Sequence, residues 1–341
     1  ERKMVASEEP VNLIYQLAVH RGMLAPRHRN PWTRTAQREI PHSWVVCDER
    51  CLKLRSVETK PEGLDRVRRA LQGADMKVQT RRRHCDVCGS TGARLLSQYT
   101  VTEWPVVECE GCGFVFLHEV PEYEALSDDL AWEKTSTAES ERRKAQRWAR
   151  LDQWTRFRLK LGKLMDDMRR RRVAGNGGNV LEIGCGGSTR IPEGCIPHGI
   201  EISKGLAQRA RPKYEARGGS LINAPAIEGI EHYPDEFFDS IIMRSYLEHE
   251  AQPRLILERS FVKLKKGGRI YIRVPNFGSI NRRVQGAKWC GFRFPDHVNY
   301  FTPSSLRRLT ESLGFKFKWV NRFSVFDDNV IAELLKPEQR G

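Results

Sequence analysis

Four of the nine cysteines stand in two Cys-x-x-Cys pairs, Cys85 with Cys88 and Cys109 with Cys112, with 20 residues between the pairs. A glycine follows each pair and permits the positive φ that turns backbone N–H groups toward the sulfur atoms. Two thiolates on one tight turn, facing two on another, can surround a metal ion tetrahedrally. The spacing predicts a structural zinc ribbon in a reducing compartment. Iron is an alternative ion, and an empty ribbon or a redox-active dithiol are alternative interpretations.

A second group of residues has the spacing of a nucleotide-cofactor loop. The stretch "NVLEIGCGG" places Gly184 and Gly186 directly after an apolar run, where bare backbone can approach a cofactor. Only 17 residues separate Gly184 from Glu201 at the end of the next apolar run, and Pro192 and Pro197 lie between them. Because proline disrupts a helix interior, we expect the helix that usually follows such a loop to be very short or absent. The sequence leaves open whether this loop still binds a cofactor or only the scaffold has been kept.

The elements that must hold these residues alternate between strand and helix from residue 180 onward. This alternation predicts a doubly wound, mostly parallel, seven-stranded α/β sheet of the Rossmann-like kind. Helices are predicted at Pro253–Leu264, followed by a basic glycine-closed turn at 265–268, and from a Thr302-Pro303 cap to about Leu313. Strands are predicted at Val180–Ile183, His198–Ile202, Ser220–Asn223, Phe238–Met243, Arg269–Val274, Phe315–Asn321 and Asn329–Leu334.

The remainder of the chain divides by composition. Residues 1–83 form a basic extension with many prolines and too little apolar material for a core of its own, and residues 84–120 form the zinc ribbon. Residues 121–178 are a linker that contains a long, basic, amphipathic helix at about 139–172, and residues 179–341 form the sheet domain.

Charge is distributed unevenly along the chain, whose formal net charge is +15. Basic against acidic residues number 18 to 10 in residues 1–84, 2 to 11 in residues 85–140 and 13 to 4 in residues 141–173. The basic excess in the extension and in residues 141–173 predicts a nucleic-acid or ribonucleoprotein partner, although an arginine-rich overall composition would explain it equally well. No apolar run has the length of a membrane span, so we expect no membrane partner and an intracellular location, in the cytoplasm or an organellar matrix such as that of mitochondria.

Several stretches together resemble class I S-adenosylmethionine-dependent methyltransferases that carry an N-terminal zinc ribbon. The resemblance covers about residues 84–335 and rests on "CDVCGS…CEGCGFVFL", "VLEIGCG", "GIEIS", "FFDSIIMRSYLEHE" and "FPDHVNYFTPSSLRRLTESLGF". It implies S-adenosylmethionine as cofactor, with Glu182 orienting its amino group, Glu201 accepting both ribose hydroxyls and Asn223 in the place of an acid that reads adenine. The implied cofactor-binding residues are Glu182, Gly184, Gly186, Glu201, Ile202, Asn223, Ala224 and Arg244.

Methyl transfer requires alignment of the acceptor with the methyl group, exclusion of water and, for some acceptors, removal of a proton. Candidates for the proton acceptor are His297 and Asp296, with Tyr300 as a further candidate, while a structural role is favoured for His249. Arg293 is a candidate for holding an anionic substrate, and the insertion at 276–291 for a lid or a basic docking loop.

Two functions remain open. One is an active methyltransferase acting on RNA, a ribonucleoprotein or a small molecule. The other is a weak or inactive methyltransferase fold that serves as a structural or assembly factor of a ribonucleoprotein such as an organellar ribosome. The second is favoured by the shortened first helix, by Ser188 in place of a third glycine and by the basic extension.

Overall fold

The structure is a computed structural model that describes residues 80–100, 104–121, 164–322 and 328–338. All of them belong to one compact unit that begins at residue 75. The basic extension and most of the predicted linker lie outside the described residues, so the domain boundaries stay predictions. The described part begins with five short strands: β1 (Thr80–Arg82), β2 (Ala93–Leu95), β3 (Val106–Cys109), β4 (Val115–Leu117) and β5 (Glu119–Pro121).

These strands form the fold around the cysteine pairs. Strands β1 and β5 pair antiparallel, while β3 pairs antiparallel with both β2 and β4. The outer edge of β4 is covered by β11 (Asn299–Tyr300), in which Asn299 lies opposite Phe116 and Tyr300 opposite Val115. The four-stranded sheet of the ribbon therefore takes its last strand from a segment of the chain far beyond it.

The second part is a seven-stranded sheet in the order β12-β13-β10-β9-β6-β7-β8. Strands β10, β9, β6, β7 and β8 are parallel, and β13 runs antiparallel between β10 and β12. The predicted doubly wound, Rossmann-like fold class is confirmed. The strands are β6 (Asn179–Ile183), β7 (Ile196–Ile200), β8 (Ser220–Ile222), β9 (Phe238–Arg244), β10 (Leu264–Pro275), β12 (Lys316–Trp319) and β13 (Asn329–Leu335).

Helices cover the sheet where the sequence predicts them, with one correction. The predicted basic turn at 265–268 belongs to β10, because helix α4 ends at Lys263 and Leu264 already pairs with Phe238. The predicted Thr302 cap is present, since the Thr302 hydroxyl accepts from the Ser305 N–H and the Ser305 hydroxyl accepts from the Thr302 N–H. The helices are α1 (residues 164–174), α2 (Lys204–Glu215), α3 (Ala226–Gly229), α4 (Pro253–Lys263), α5 (Ile280–Gln285) and α6 (Pro303–Ser312).

The helix expected after the first sheet strand is absent, as the prolines predict. Residues 184–195 between β6 and β7 contain only turns and bends. Side chains therefore satisfy carbonyl groups that a helix would have paired internally. The Arg217 guanidinium donates to the carbonyl oxygens of Ile191 at 2.9 Å and Cys195 at 2.8 Å, and the Arg170 guanidinium donates to that of Arg190 at 3.2 Å.

Helix α1 is joined to the sheet through the buried Asp166. Its carboxylate accepts from Arg244 Nε at 2.8 Å and from the Tyr271 hydroxyl, and it lies 3.8 Å from Arg273 Nε. Burial alone would raise the pKa of Asp166, but the Tyr271 and Arg244 hydrogen bonds and the Arg273 charge hold it below its ordinary value.

Replacing this carboxylate should destabilise the fold. We expect Asp166→Asn to lower the free energy of unfolding by about 2–4 kcal/mol, because the half-buried Arg244 and Arg273 lose the counter-charge of a buried carboxylate. A lowered folded-state pKa means that this contribution is present above the unfolded pKa of about 3.9 and is lost as pH falls through the folded value. Urea unfolding at neutral and acidic pH tests this, with Asp167→Asn as control because that carboxylate is 40% exposed. An equal cost for both variants would contradict it.

No helix within the described ranges is long and apolar enough to cross a lipid bilayer.

Candidate functional site

A cavity of about 320 Å³ lies at the carboxyl ends of β6, β7, β8 and β9. In parallel α/β sheets this edge is where ligands bind, at the point where the strand order reverses between β6 and β9. The volume lies within the range of about 300–1,000 Å³ of small-molecule sites. Seven of the eight residues predicted to bind a cofactor line it: Glu182, Gly184, Gly186, Glu201, Ile202, Ala224 and Arg244.

The loop after β6 is hydrogen-bonded to the Glu201 carboxylate. Glu201 is 6% exposed, and its two oxygens accept from the N–H groups of Gly186 at 2.7 Å and Ser203 at 3.0 Å. Gly184 and Gly186 have φ values of +68° and +67°. A Cβ at Gly184 would lie 3.1 Å from the Tyr246 ring, whereas one at Gly186 would meet no atom within 4 Å. The loop thus presents bare backbone beside a buried carboxylate, which is suited to a hydroxyl-bearing ligand.

Glu182 lies deeper in the same wall. Its carboxylate accepts from the Tyr214 hydroxyl at 3.2 Å and from the Arg190 N–H at 3.4 Å. Burial raises the pKa of Glu182 above its ordinary value, although these hydrogen bonds and nearby arginines oppose the shift. Tyr214 belongs to α2 and is fully buried beside Ile191 and Cys195, so it fills part of the space left by the missing helix.

Asn223 is the predicted cofactor residue that does not line the cavity. Its side-chain amide donates to the carbonyl oxygens of Glu201 at 2.8 Å and Ile202 at 2.9 Å. This amide group holds the end of β7, while Ala224 lies at the cavity, and the assignment of Asn223 as the reader of adenine stays a prediction.

The opposite wall contains polar groups from two segments. Tyr246, His249 and Glu250 come from the loop after β9, and Asp296 comes from the segment before β11. His249 Nδ1 lies 2.8 Å from the Asp296 carbonyl oxygen. Burial, helped by the Arg293 charge, lowers the pKa of His249 to about 4, so the ring is neutral at physiological pH. His249, for which a structural role is predicted, therefore faces the cavity.

The other catalytic candidates lie behind this wall. His297 is 5% exposed and does not line the cavity; its Nδ1 lies 2.8 Å from the Gly291 carbonyl oxygen. Tyr300 is buried and donates to the His297 carbonyl oxygen at 2.8 Å, and Arg293 pairs with the Asp296 carboxylate at 2.9 Å. Direct proton transfer by His297 or Tyr300 is not supported by these positions, whereas Asp296 remains at the cavity.

The insertion at 276–291 is not a lid in this structure. None of its described residues lines the cavity, and Phe277 and Trp289 pack into an apolar cluster with Leu96, Val106 and Leu117 of the ribbon. Shortly after this segment, β11 pairs with β4 of the ribbon sheet, and the segment packs on the same side.

The cavity residues that come from the ribbon were missed by sequence reasoning. Val120 and Pro121 come from the ribbon, and no sequence signal connects them with a cofactor loop some 60 residues later. Ser245, which has a φ of +53° unusual for a residue other than glycine, and Tyr246 also line the cavity. Their position directly after a parallel strand predicts that residues 244–248 line the floor of the pocket.

Glu248 lies beside this wall and is 2% exposed. Its Oε2 atom has no hydrogen-bond partner among the described residues. Burial raises the pKa of the Glu248 carboxyl to about 8, against the opposing charges of Arg273, Arg293 and Arg244.

The four paired cysteines converge in the ribbon as predicted. Sγ distances are 3.5 Å for Cys85 to Cys112 and 3.5 Å for Cys88 to Cys109. A tetrahedron with Zn–S bonds of about 2.3 Å has sulfur atoms about 3.8 Å apart, so the set fits Zn²⁺ closely. Burial opposes ionisation of Cys109, but hydrogen bonds from neighbouring thiols and from the Gly111 N–H lower its pKa to about 7.

Comparison with known proteins identifies a family. Residues 140–318, slightly more than half of the chain, match a family model described as a methyltransferase domain. An uncharacterized protein of Methanocaldococcus jannaschii is 30% identical over 139 residues, 41% of this chain and 65% of that protein. The match thus spans just under two thirds of that relative's length.

Two further similarities concern proteins with stated activities. A ubiquinone biosynthesis O-methyltransferase of Aeromonas salmonicida is 25% identical over 198 residues, 48% of this chain and 78% of that enzyme. The crystal structure of a SAM-dependent methyltransferase from Archaeoglobus fulgidus aligns with a TM-score of 0.41 and 19% identity, covering 50% of this chain and 93% of that one.

Proposed function

Because the chain belongs to the methyltransferase-domain family of class I S-adenosylmethionine-dependent methyltransferases, we propose that it transfers a methyl group from S-adenosylmethionine to a hydroxyl group of a small molecule. The observation that carries the proposal is the cavity beside Glu201, which the chain's own side chains leave open at the edge where the family's cofactor is expected. An oxygen acceptor is favoured by the relatives named as ubiquinone biosynthesis O-methyltransferases.

The residues on one side of the cavity fit a nucleoside. The Glu201 carboxylate lines the cavity, and a carboxylate is a strong acceptor for hydroxyl groups such as those of a ribose. When bound, S-adenosylmethionine supplies a methyl group on a positively charged sulfur. The buried carboxyl group of Glu182 lies in the same wall.

The residues on the other side would hold the acceptor. Tyr246, His249 and Asp296 present polar atoms there, and Val120 and Pro121 of the ribbon close that end with apolar surface. Such a mixture suits a small, partly apolar molecule and excludes water from the reacting atoms.

Isothermal titration of the full-length, zinc-loaded chain with S-adenosylmethionine tests the proposal. Binding in the micromolar to millimolar range is expected. A folded protein that does not bind the cofactor would instead favour the assembly-factor function, for which the basic residues 1–84 and 141–173 are the support. A ribonucleoprotein partner for those segments stays a prediction.

Gly186 in the cofactor loop has a left-handed backbone conformation, and Gly218, which has the same conformation elsewhere, provides a matched control. Gly186→Ala places a methyl group into the cavity, and we expect it to weaken S-adenosylmethionine binding at least about tenfold. Gly218→Ala has the same backbone cost of about 1–2 kcal/mol, because its φ is +74° and its Cβ also meets no atom within 4 Å. Gly218 does not line the cavity, so binding should be unchanged. Equal affinity loss in both variants would contradict the assignment of this loop.

A further inference from the structure

Three potential metal ligands meet at the wall of the cavity. One carboxylate oxygen of Glu248 and one ring nitrogen each of His249 and His297 lie within 4.8 Å of one another. His297 lies 48 positions after His249 in the sequence, so the tertiary fold alone brings the two segments together. Only His249 among them lines the cavity, which places the cluster between the cavity and the core.

The backbone holds the two segments together without using these side chains. The Glu248 carbonyl oxygen accepts from the N–H groups of Val298 at 2.7 Å and Asn299 at 3.1 Å. The Asn299 amide donates to the carbonyl oxygens of Leu247 and Glu250, each at 2.7 Å. The backbone that carries the three side chains is therefore held by groups that do not titrate.

Both histidine rings have the tautomer that a metal site requires. His249 Nδ1 contacts the Asp296 carbonyl oxygen and His297 Nδ1 contacts the Gly291 carbonyl oxygen, each at 2.8 Å. A carbonyl oxygen only accepts, so Nδ1 carries the hydrogen, and in the neutral form of such a ring the lone pair is on Nε2. Donation from one ring nitrogen to a carbonyl is the arrangement that orients metal-bound histidines.

The Glu248 carboxylate is a second, independent indication of a metal site. Glu248 Oε2 is buried and has no hydrogen-bond partner among the described residues. Buried polar atoms nearly always have a hydrogen-bonding or ionic partner. A bound cation would be such a partner for Glu248 Oε2. The charges of Arg273, Arg293 and Arg244 act on this carboxyl, but Arg293 is paired with Asp296 at 2.9 Å, and Arg244 and Arg273 lie 2.8 and 3.8 Å from Asp166.

We propose that Glu248, His249 and His297 bind a divalent first-row transition metal ion, with Zn²⁺ as the best fit. Two imidazoles and one carboxylate favour such ions over Mg²⁺ or Ca²⁺, which prefer oxygen ligands. His249 places the ion at the cavity wall, where a fourth ligand position would accept an oxygen atom from a small molecule. Metal binding is independent of the proposed methyl transfer, because it is measured without cofactor or acceptor.

Cobalt spectroscopy on the full chain distinguishes this site from the ribbon. Protein loaded with one equivalent of Zn²⁺, which the four thiolates take first, is titrated with Co²⁺. We expect one further equivalent to bind with weak visible bands and without the intense thiolate-to-cobalt charge-transfer bands of a cysteine site. Glu248→Gln and His297→Gln should each weaken this second equivalent at least about tenfold.

The exposed His232 provides the control, since His232→Gln should bind Co²⁺ like the wild type. Circular dichroism identifies any variant that fails to fold. If one of the two single variants does not fold, the other still tests the proposal. A second equivalent that is absent from the wild type, that shows thiolate bands, or that persists unchanged in both folded variants would overturn the proposal.

Discussion

Glu201→Gln should reduce the affinity for S-adenosylmethionine about 100-fold. The carboxylate is placed to accept two ribose hydroxyls, and hydrogen bonds to a charged group contribute about 1.5–3 kcal/mol each. An amide of the same size offers one accepting atom, and its NH₂ group would face either the Gly186 or the Ser203 N–H group. Titration calorimetry measures the loss, and Glu311→Gln on the exposed face of α6 is the control.

A ligand that lacks one ribose hydroxyl shows whether the variant has lost a contact to the ribose or has a damaged loop after β6. In the wild type, S-adenosylhomocysteine should bind more tightly than its 2′-deoxy analogue, whereas in Glu201→Gln the difference should largely vanish. If the variant still discriminates between the two ligands as strongly as the wild type, Glu201 does not contact the ribose.

Loss of the ribbon metal should destabilise both parts of the described fold together. We expect Cys109→Ser to remove thiolate-bound metal and to lower the free energy of unfolding by at least about 5 kcal/mol, since a structural zinc site contributes directly to folding. One apolar core contains Phe114 and Phe116 of the ribbon together with Leu181 and Ile241 of the large sheet. A single unfolding transition is therefore expected rather than separate loss of the ribbon.

Metal analysis and thermal unfolding measure this effect, with Cys290→Ser as a half-buried control outside the cluster. Cofactor affinity should fall as well, because Val120 and Pro121 line the cavity. A Cys109→Ser protein that keeps its thiolate metal, or that loses it without a change in melting temperature, would contradict a structural zinc site.

Local sequence patterns were sufficient to predict the sheet. Runs such as "VLEI" and "SIIM" are apolar and bounded by glycine or charged residues, and they form β6 and the middle of β9. The missing helix was equally predictable, because Pro192 acts locally through its own backbone geometry, while Pro197 already belongs to β7. Glu201 and the glycines reach the cavity because each follows or ends a parallel strand.

Contacts between distant segments could not be predicted. A strand of two residues, Asn299–Tyr300, has no periodicity to detect, so its pairing with the ribbon was not expected. Asn223 was assigned from its place after β8, but its amide turns back to the carbonyl groups at the end of β7. His297 was predicted as a base and His249 as a structural residue, while the proximity of His297 to Glu248 depends on the packing of one segment on another.

The shared strand also has a consequence for synthesis of the chain on the ribosome. The ribbon's β4 ends at Leu117, so about 180 further residues must be translated before its edge is covered by Asn299–Tyr300. During that interval the edge of β4 exposes unpaired backbone groups beside buried valine and phenylalanine side chains, which is a template for aggregation. A nascent ribbon that binds zinc early would be ordered but still prone to aggregate through this edge. Truncated chains that end before residue 299 should therefore need a chaperone to prevent aggregation.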